Sequence, residues 1–212
     1  MGSGKCRRRS RRHFPLPLSL PNESHSERSE ESPWNLKKDV DFTIYEEDIY
    51  VGYRYYDTFG KPVSYPFGYG LSYTNFEYSN ATVKEEKGVY TVEVDVKNIG
   101  NISGKEVVQL YVTAPENPSY SKPKKELKAF SKTKELKPNE NQIITMKISA
   151  ADLASFDENS SAWLADRGMY KFHLGKSSNE IFATLETTLT KEIKIKTNNV
   201  LLLQEPVNTL KK

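Results

Sequence analysis

Tyr90, Val92, Val94 and Val96 alternate strictly with Thr91, Glu93, Asp95 and Lys97. A period of two puts every second side chain on the same face of an extended chain, so this stretch is a strand with one apolar and one wettable face. Such a strand is stable only when a sheet and a second layer cover its apolar side. The same signature recurs downstream. Phe76 and Tyr78 begin a strand, Val108, Leu110 and Val112 form an apolar row opposite Val107, Gln109 and Tyr111, and Ile144, Met146 and Ile148 form another row. Leu127 and Phe130 anchor a further strand, Trp163 and Leu164 mark one more, and Tyr170, Phe172 and Leu174 face inward with Lys171 and His173 outward.

Turn chemistry separates these segments at Asn98-Ile99-Gly100-Asn101, Pro115 to Pro123, Pro138 to Asn141 and Asp166-Arg167-Gly168. Many short strands with regular turns predict an all-β, immunoglobulin-like antiparallel sandwich in which strands 90–96 and 107–112 are neighbours. Ser149 to Asp152 has the spacing of a capping box, which predicts one helical turn through Leu153. Residues 181–195 offer one strand or two, and the tail from Lys196 carries an apolar run, Val200 to Leu203.

Ahead of the sandwich lies the aromatic stretch Asp48 to Thr74. Ile49, Val51, Tyr53 and Tyr55 alternate with Tyr50, Gly52, Arg54 and Tyr56, which predicts a strand covered on both faces. Pro62 to Pro66 is a tether, because proline lacks an N–H and holds its predecessor extended. Phe67-Gly68-Tyr69-Gly70 then sets large rings between residues free to take positive φ, as suits a chain passing closely over another surface.

The segments Gly52 to Thr58, GYRYYDT, and Pro66 to Thr74, PFGYGLSYT, resemble the end of the second catalytic-region domain of glycoside hydrolase family 3. Val83 to Ser178, with GKEVVQLYV, KPKKELKAF, DLASFD and RGMYKFHLG, is similar to the fibronectin type III-like domain that follows it in many β-glucosidases. The resemblance implies four parts: a disordered, non-family segment over 1–40, a remnant strand and linker of the preceding α/β domain over 41–75, the fibronectin type III-like domain over 76–180, and an extension over 181–212. The sandwich would thus carry an extended N-terminal arm. Asn22 to Pro33 is polar low complexity that cannot bury enough apolar surface to order itself. Its SHSERSEES run resembles spurious translations of repeated intergenic DNA, which implies a truncated reading frame joined to family sequence between Trp34 and Val40.

Charge and cysteine content narrow the chemistry. Net charge is +3 with much of the excess in the first dozen residues, so neither nucleic acid nor membrane is an expected partner. The single cysteine, Cys6, excludes an internal disulfide, and His13, His25 and His173 are too scattered for metal-ligand spacing, so no metal or cofactor is expected. The apolar run after the basic Met1 to Arg12 is broken by Pro15, Pro17 and Pro21 and lacks a small-residue cleavage site, so the expected location is cytoplasmic.

Glycoside hydrolysis needs two carboxylates flanking one bond. The family's nucleophile and acid/base motifs do not occur in this sequence, and Glu46-Glu47-Asp48 reads as a solvated edge rather than a catalytic pair. Tyr53, Arg54, Tyr55, Phe67, Tyr69 and Tyr73 are the candidate functional residues, either packing at a domain interface or stacking on sugar rings, with Tyr56 and Tyr65 in the same series. The expected partners are the catalytic domains of a family 3 glycosidase, in cis or in trans, or a β-linked oligosaccharide. Three roles follow: an accessory domain of a β-glucosidase-like enzyme, a free-standing carbohydrate- or protein-binding module, or a nonfunctional gene remnant.

Overall fold

A computed structural model describes residues 46–117, 119–198, 200 and 209–210. The expected disordered segment over 1–40, Cys6 and Leu201 to Leu203 lie outside the described residues. The elements are α1 (Tyr53–Thr58), β1 (Phe76–Glu86), β2 (Val89–Asn98), β3 (Val107–Thr113), β4 (Glu126–Lys132), β5 (Asn141–Ser149), β6 (Ser155–Asp157), β7 (Ala162–Ala165), β8 (Gly168–Gly175), β9 (Ile181–Leu189) and β10 (Ile193–Lys196).

One sheet runs β1-β2-β5, the second β4-β3-β8-β9, and a small third sheet β10-β7-β6 sits beside them. Every strand pair is antiparallel. The first sheet presents Tyr90, Val92, Val94 and Val96 from β2, and beside them Ile148, Met146 and Ile144 from β5, in direct register. From the second sheet Val108, Leu110, Val112, Tyr170, Phe172 and Leu174 fill the same core. Tyr90 meets Phe172 edge to face at 5.4 Å across it. The β1–β2 hairpin closes over Lys87 and Gly88, both with positive φ, the twist a two-residue connection requires.

Strands β2 and β3 are not neighbours. They belong to opposite sheets and face each other across the core, because the Asn98 to Lys105 connection crosses between layers rather than closing a hairpin. Asn98, fully buried, directs that crossing. Its amide N–H groups donate to the carbonyls of Ile102 and Leu136, both at 2.8 Å, and its side-chain oxygen accepts from Thr74 Oγ1 at 2.6 Å and Gly100 N at 3.0 Å. A Cβ at Gly100 would lie 2.2 Å from Thr74 Oγ1, so the crossing admits no side chain there.

The sandwich also extends beyond residue 180. β9 completes the second sheet, with Leu185 opposite Phe172, and β10 completes the third, with Ile195 opposite Trp163. Ser149 and Asp152 form the reciprocal cap over a 3-10 turn at Ala150–Leu153. Phe130 does not anchor its strand inward. It is 70% exposed on the outer face of the edge strand β4, while Ala129 packs toward the core.

Asn98→Asp keeps the shape but cannot donate to the Ile102 and Leu136 carbonyls. We expect urea unfolding to show a loss of about 2 kcal/mol or more, against less than about 0.5 kcal/mol for the exposed Asn101→Asp. Equal effects would show that the crossing is fixed elsewhere.

Candidate functional site

The arm, residues 46–75, holds the candidate residues, and its local structure differs from the expected strand. Residues 46–49 form a turn and Tyr53–Thr58 a short helix. Gly52, at φ 62 and ψ −134, breaks the extended run. The aromatic alternation that suggested a strand instead divides between two sides of α1. Tyr53, Arg54 and Asp57 turn to the sandwich, whereas Tyr55 packs on Phe59 at 5.0 Å and on Tyr56 at 5.4 Å.

On the sandwich side, the start of β4 runs along the helix. Leu127 N donates to Tyr53 Oη at 2.8 Å and Lys124 N to Thr58 Oγ1 at 2.9 Å. Arg54 pairs with Glu126 at 3.0 Å and Asp57 with Lys125 at 3.3 Å. Tyr53 stacks on Phe67 at 4.8 Å and meets the edge of Tyr111 at 5.9 Å. Burial raises the Tyr53 phenol above its usual range, so it stays a neutral acceptor for Leu127.

Gln109 fixes where the arm lies. Tyr111 Oη donates to Gln109 Oε1 at 2.5 Å, and Gln109 Nε2 donates to the carbonyls of Lys176 and of Gly68, the latter at 3.3 Å. Ser178 N donates to Phe67 O at 2.8 Å. Gly68 has φ 81, and a Cβ there would come within 2.3 Å of Gln109 Oε1, so glycine is required twice over. The structure therefore brings Tyr53, Arg54 and Phe67 together over the outer face of the second sheet. The described residues 46–75 hold a helix and no strand, and they cover that face.

Tyr69 and Tyr73 are not gathered into this contact. Tyr69 pairs only with Tyr65, at 5.0 Å and a 42° tilt, among the described ring contacts. Leu71 is 89% exposed and Tyr73 96%, although Thr74 beside them is buried and bonded to Asn98. Glu46 to Asp48 lie in the turn, where Glu46 O accepts from Leu210 N at 2.8 Å. Among the described residues no group of three or more His, Cys, Asp or Glu side chains is placed to hold a metal ion.

Two polar centres escaped the sequence reading, because their partners are far apart along the chain. Lys122 is buried, and its ammonium donates to Pro115 O at 2.7 Å and to Asp166 Oδ2. Tyr120 Oη at 2.6 Å and Asn117 Nδ2 at 2.9 Å also donate to Asp166. Burial alone would raise the Asp166 carboxyl, but these donors outweigh it and hold it below the usual carboxylate range. His173 is half-buried rather than a plain surface residue. Thr113 Oγ1 gives its proton to Lys124 O, so it accepts from His173 Nε2–H at 2.9 Å, which leaves Nδ1 to accept from Thr184 Oγ1 at 3.0 Å. Burial, reinforced by Lys125, Lys171 and Lys124, holds this imidazole below its ordinary range.

Residues 106–178 match the family model of the fibronectin type III-like domain. A β-glucosidase of Ruminococcus albus is 48% identical over 161 residues, covering 71% of this chain and 17% of the relative. β-Glucosidase 3B of Thermotoga neapolitana, solved with α-D-glucose, superposes with TM-score 0.70 at 44% identity, covering 73% of this chain and 21% of that one. The β-glucosidase of Kluyveromyces marxianus, solved with glucose, gives TM-score 0.71 at 39% identity over 77% of this chain and 20% of its own. The chain spans about a fifth of the length of these relatives.

His173 yields a pH prediction. Its folded-state pKa is lowered, so the unfolded chain binds the proton first, and the stability this group contributes is complete above about 6.5 and lost as pH falls toward the lowered value. Thermal unfolding temperature should therefore start to decline below about pH 6.5, and His173→Gln should flatten that part of the profile. An unchanged profile in the variant would assign the decline to other groups. The depressed Asp166 carboxyl acts in a separate, more acidic window, its contribution being lost as pH falls below about 3.9.

Proposed function

Because this chain carries the fibronectin type III-like region of glycoside hydrolase family 3 β-glucosidases, we propose that it serves as the accessory domain of such an enzyme. It works with catalytic domains supplied in cis or in trans, and those domains act on terminal β-linked sugars. The observation that carries this reading is the extent of the match, which takes in the sandwich and reaches only about a fifth of each relative's length.

The chemistry of hydrolysis agrees with that division. Retaining and inverting enzymes both need an ionised and a protonated carboxyl group about 5–10 Å apart around one glycosidic bond. Several acidic groups of the sandwich and arm are engaged in ion pairs. Glu126 neutralises Arg54 and Lys128, Asp166 neutralises Lys122, and Asp57 pairs with Lys125. Glu106 is the one described carboxyl held above its usual range, chiefly by burial, and its oxygen accepts from Val107 N at 3.0 Å. The Glu180 charge adds to that shift, and Glu106 is engaged with Val107, which supports packing rather than catalysis.

A second reading is favoured by the exposure of Tyr65, Tyr69 and Tyr73, whose flat faces suit stacking on pyranose rings. Two measurements separate the readings. The purified chain should hydrolyse an aryl β-glucoside no faster than buffer, and calorimetry with cello-oligosaccharides should detect no heat. Turnover that disappears on mutating Glu46, Glu47 or Asp48 would overturn the accessory reading. A micromolar dissociation constant abolished by Tyr69→Ala would replace it with a sugar-binding module.

A further inference from the structure

We infer that the turn between β8 and β9 is a proton-operated clasp on the arm, in which Glu106 takes up the proton and the backbone at Phe67 and Gly68 is what the clasp holds. Such a clasp works within this chain and needs no partner.

The turn, residues 176–180, is tightly closed. Lys176 N donates to Glu180 O at 3.0 Å and Glu180 N to Ser177 Oγ at 3.1 Å, and a Cβ on Gly175 would lie 2.6 Å from Glu180 O. Two of its backbone groups reach the arm. Buried Ser178 donates its N–H to Phe67 O at 2.8 Å, and the Lys176 carbonyl accepts from the same Gln109 nitrogen that donates to Gly68 O. Whatever loosens the turn therefore loosens the arm at Phe67 and Gly68.

The side chains of the same turn face a carboxyl group. Glu106, half-buried just before β3, lies among Tyr78 of β1 and Lys176 and Glu180 of the turn. Its backbone exchanges two hydrogen bonds with Thr133, and its Oε1 accepts from Val107 N at 3.0 Å, so it is fixed in place. Tyr78 stacks on Phe182 at 4.0 Å, with the Lys176 ammonium 5.4 Å from its ring centre, and its buried hydroxyl has no hydrogen bond. Lys105, next in sequence to Glu106, and Lys132, opposite Val107, are exposed and screened by water.

An ionised Glu106 is short of donors here and close to a second carboxylate. Burial, with the Glu180 charge behind it, accordingly holds this carboxyl above its usual range against the opposing pull of Val107 N, Lys176 and Tyr78. The protonated group donates its O–H to Tyr78 Oη, gives that hydroxyl its missing partner and no longer repels Glu180. A closed turn then binds the proton more tightly than an opened one that admits water. Closure is therefore most favoured below about 4.3, the ordinary glutamate value, and weakens as pH rises through the raised one.

Hydrogen exchange at the Ser178 amide of the full chain, corrected for the intrinsic pH dependence of exchange, tests the clasp. Its protection factor should fall about threefold or more between about pH 5 and about pH 8. Glu106→Gln, neutral at every pH, should remove that fall. Two further variants keep the test decisive if Glu106→Gln does not fold. Lys176→Met should move the midpoint of the fall to higher pH, because the ammonium favours the ionised carboxyl, and Glu180→Gln should move it lower. Protection at Ser178 that is flat or rises with pH in the unaltered chain would overturn the clasp. So would a fall that persists in Glu106→Gln, or a midpoint that the Lys176 and Glu180 variants leave in place or shift in the same direction.

Discussion

The amide of Gln109 is the interaction on which the arrangement depends. β3 is central in its sheet and buried on both sides, with Val108, Leu110 and Val112 in the core and Gln109 and Tyr111 on the outer face. A buried primary amide must find partners for two donors and an oxygen, or it costs about 1–3 kcal/mol for each group left unpaired. The Lys176 carbonyl, the Tyr111 hydroxyl and the Gly68 carbonyl meet that need, and the last belongs to the arm. Phe67 and Gly68 of the arm are thereby held against the outer face of the second sheet. The described part of the stretch read as strand and linker packs on the sandwich.

Around this centre the long connections are held by polar groups with distant partners. Lys122, Tyr120, Asn117 and Asp166 tie the β3–β4 loop to the turn before β8, and Asn98 ties the crossing between layers to Thr74 and Leu136. A buried ion pair is weak evidence of stability, because desolvation offsets much of its attraction. Its value here is geometric, since Asp166 accepts from three side chains and each fixes a different point of the loop. The base of that loop then runs along α1 through Lys124, Lys125 and Leu127, which couples the loop to the arm.

How much of this was legible in the sequence depended on how far apart the cooperating residues lie. The alternation of Tyr90 to Val96 and of Tyr170 to Leu174 gave their faces correctly, because a strand's own pattern reports which side is buried. The Ser149 to Asp152 cap was equally local. Pairing was not: β2 and β3 share no sheet, because Asn98 turns its side chain to carbonyls at residues 102 and 136 instead of closing a hairpin. The Tyr53 to Thr58 helix was read as a strand because its aromatics alternate, yet Gly52 at φ 62 and contacts with residues 124–127 decided otherwise. Among the candidate residues, the sequence marked the aromatic arm but could not tell Tyr53 and Phe67, which close the domain's own sheet, from Tyr73, which faces outward.

The central claim is that the arm is an integral layer of this domain, and amide hydrogen exchange reads it directly. Ser178 N–H is bonded to Phe67 O and Leu127 N–H to Tyr53 Oη, so both amides report the docked arm and nothing else. In the native chain they should be protected to a degree comparable with the Val94 amide in the core of β2. Gly68→Ala, which drives a Cβ into Gln109, should remove protection at Ser178 and Leu127 while leaving Val94 protected. Rapid exchange at Ser178 and Leu127 in the unaltered chain would contradict the account, as it would mean that the arm does not stay on the second sheet.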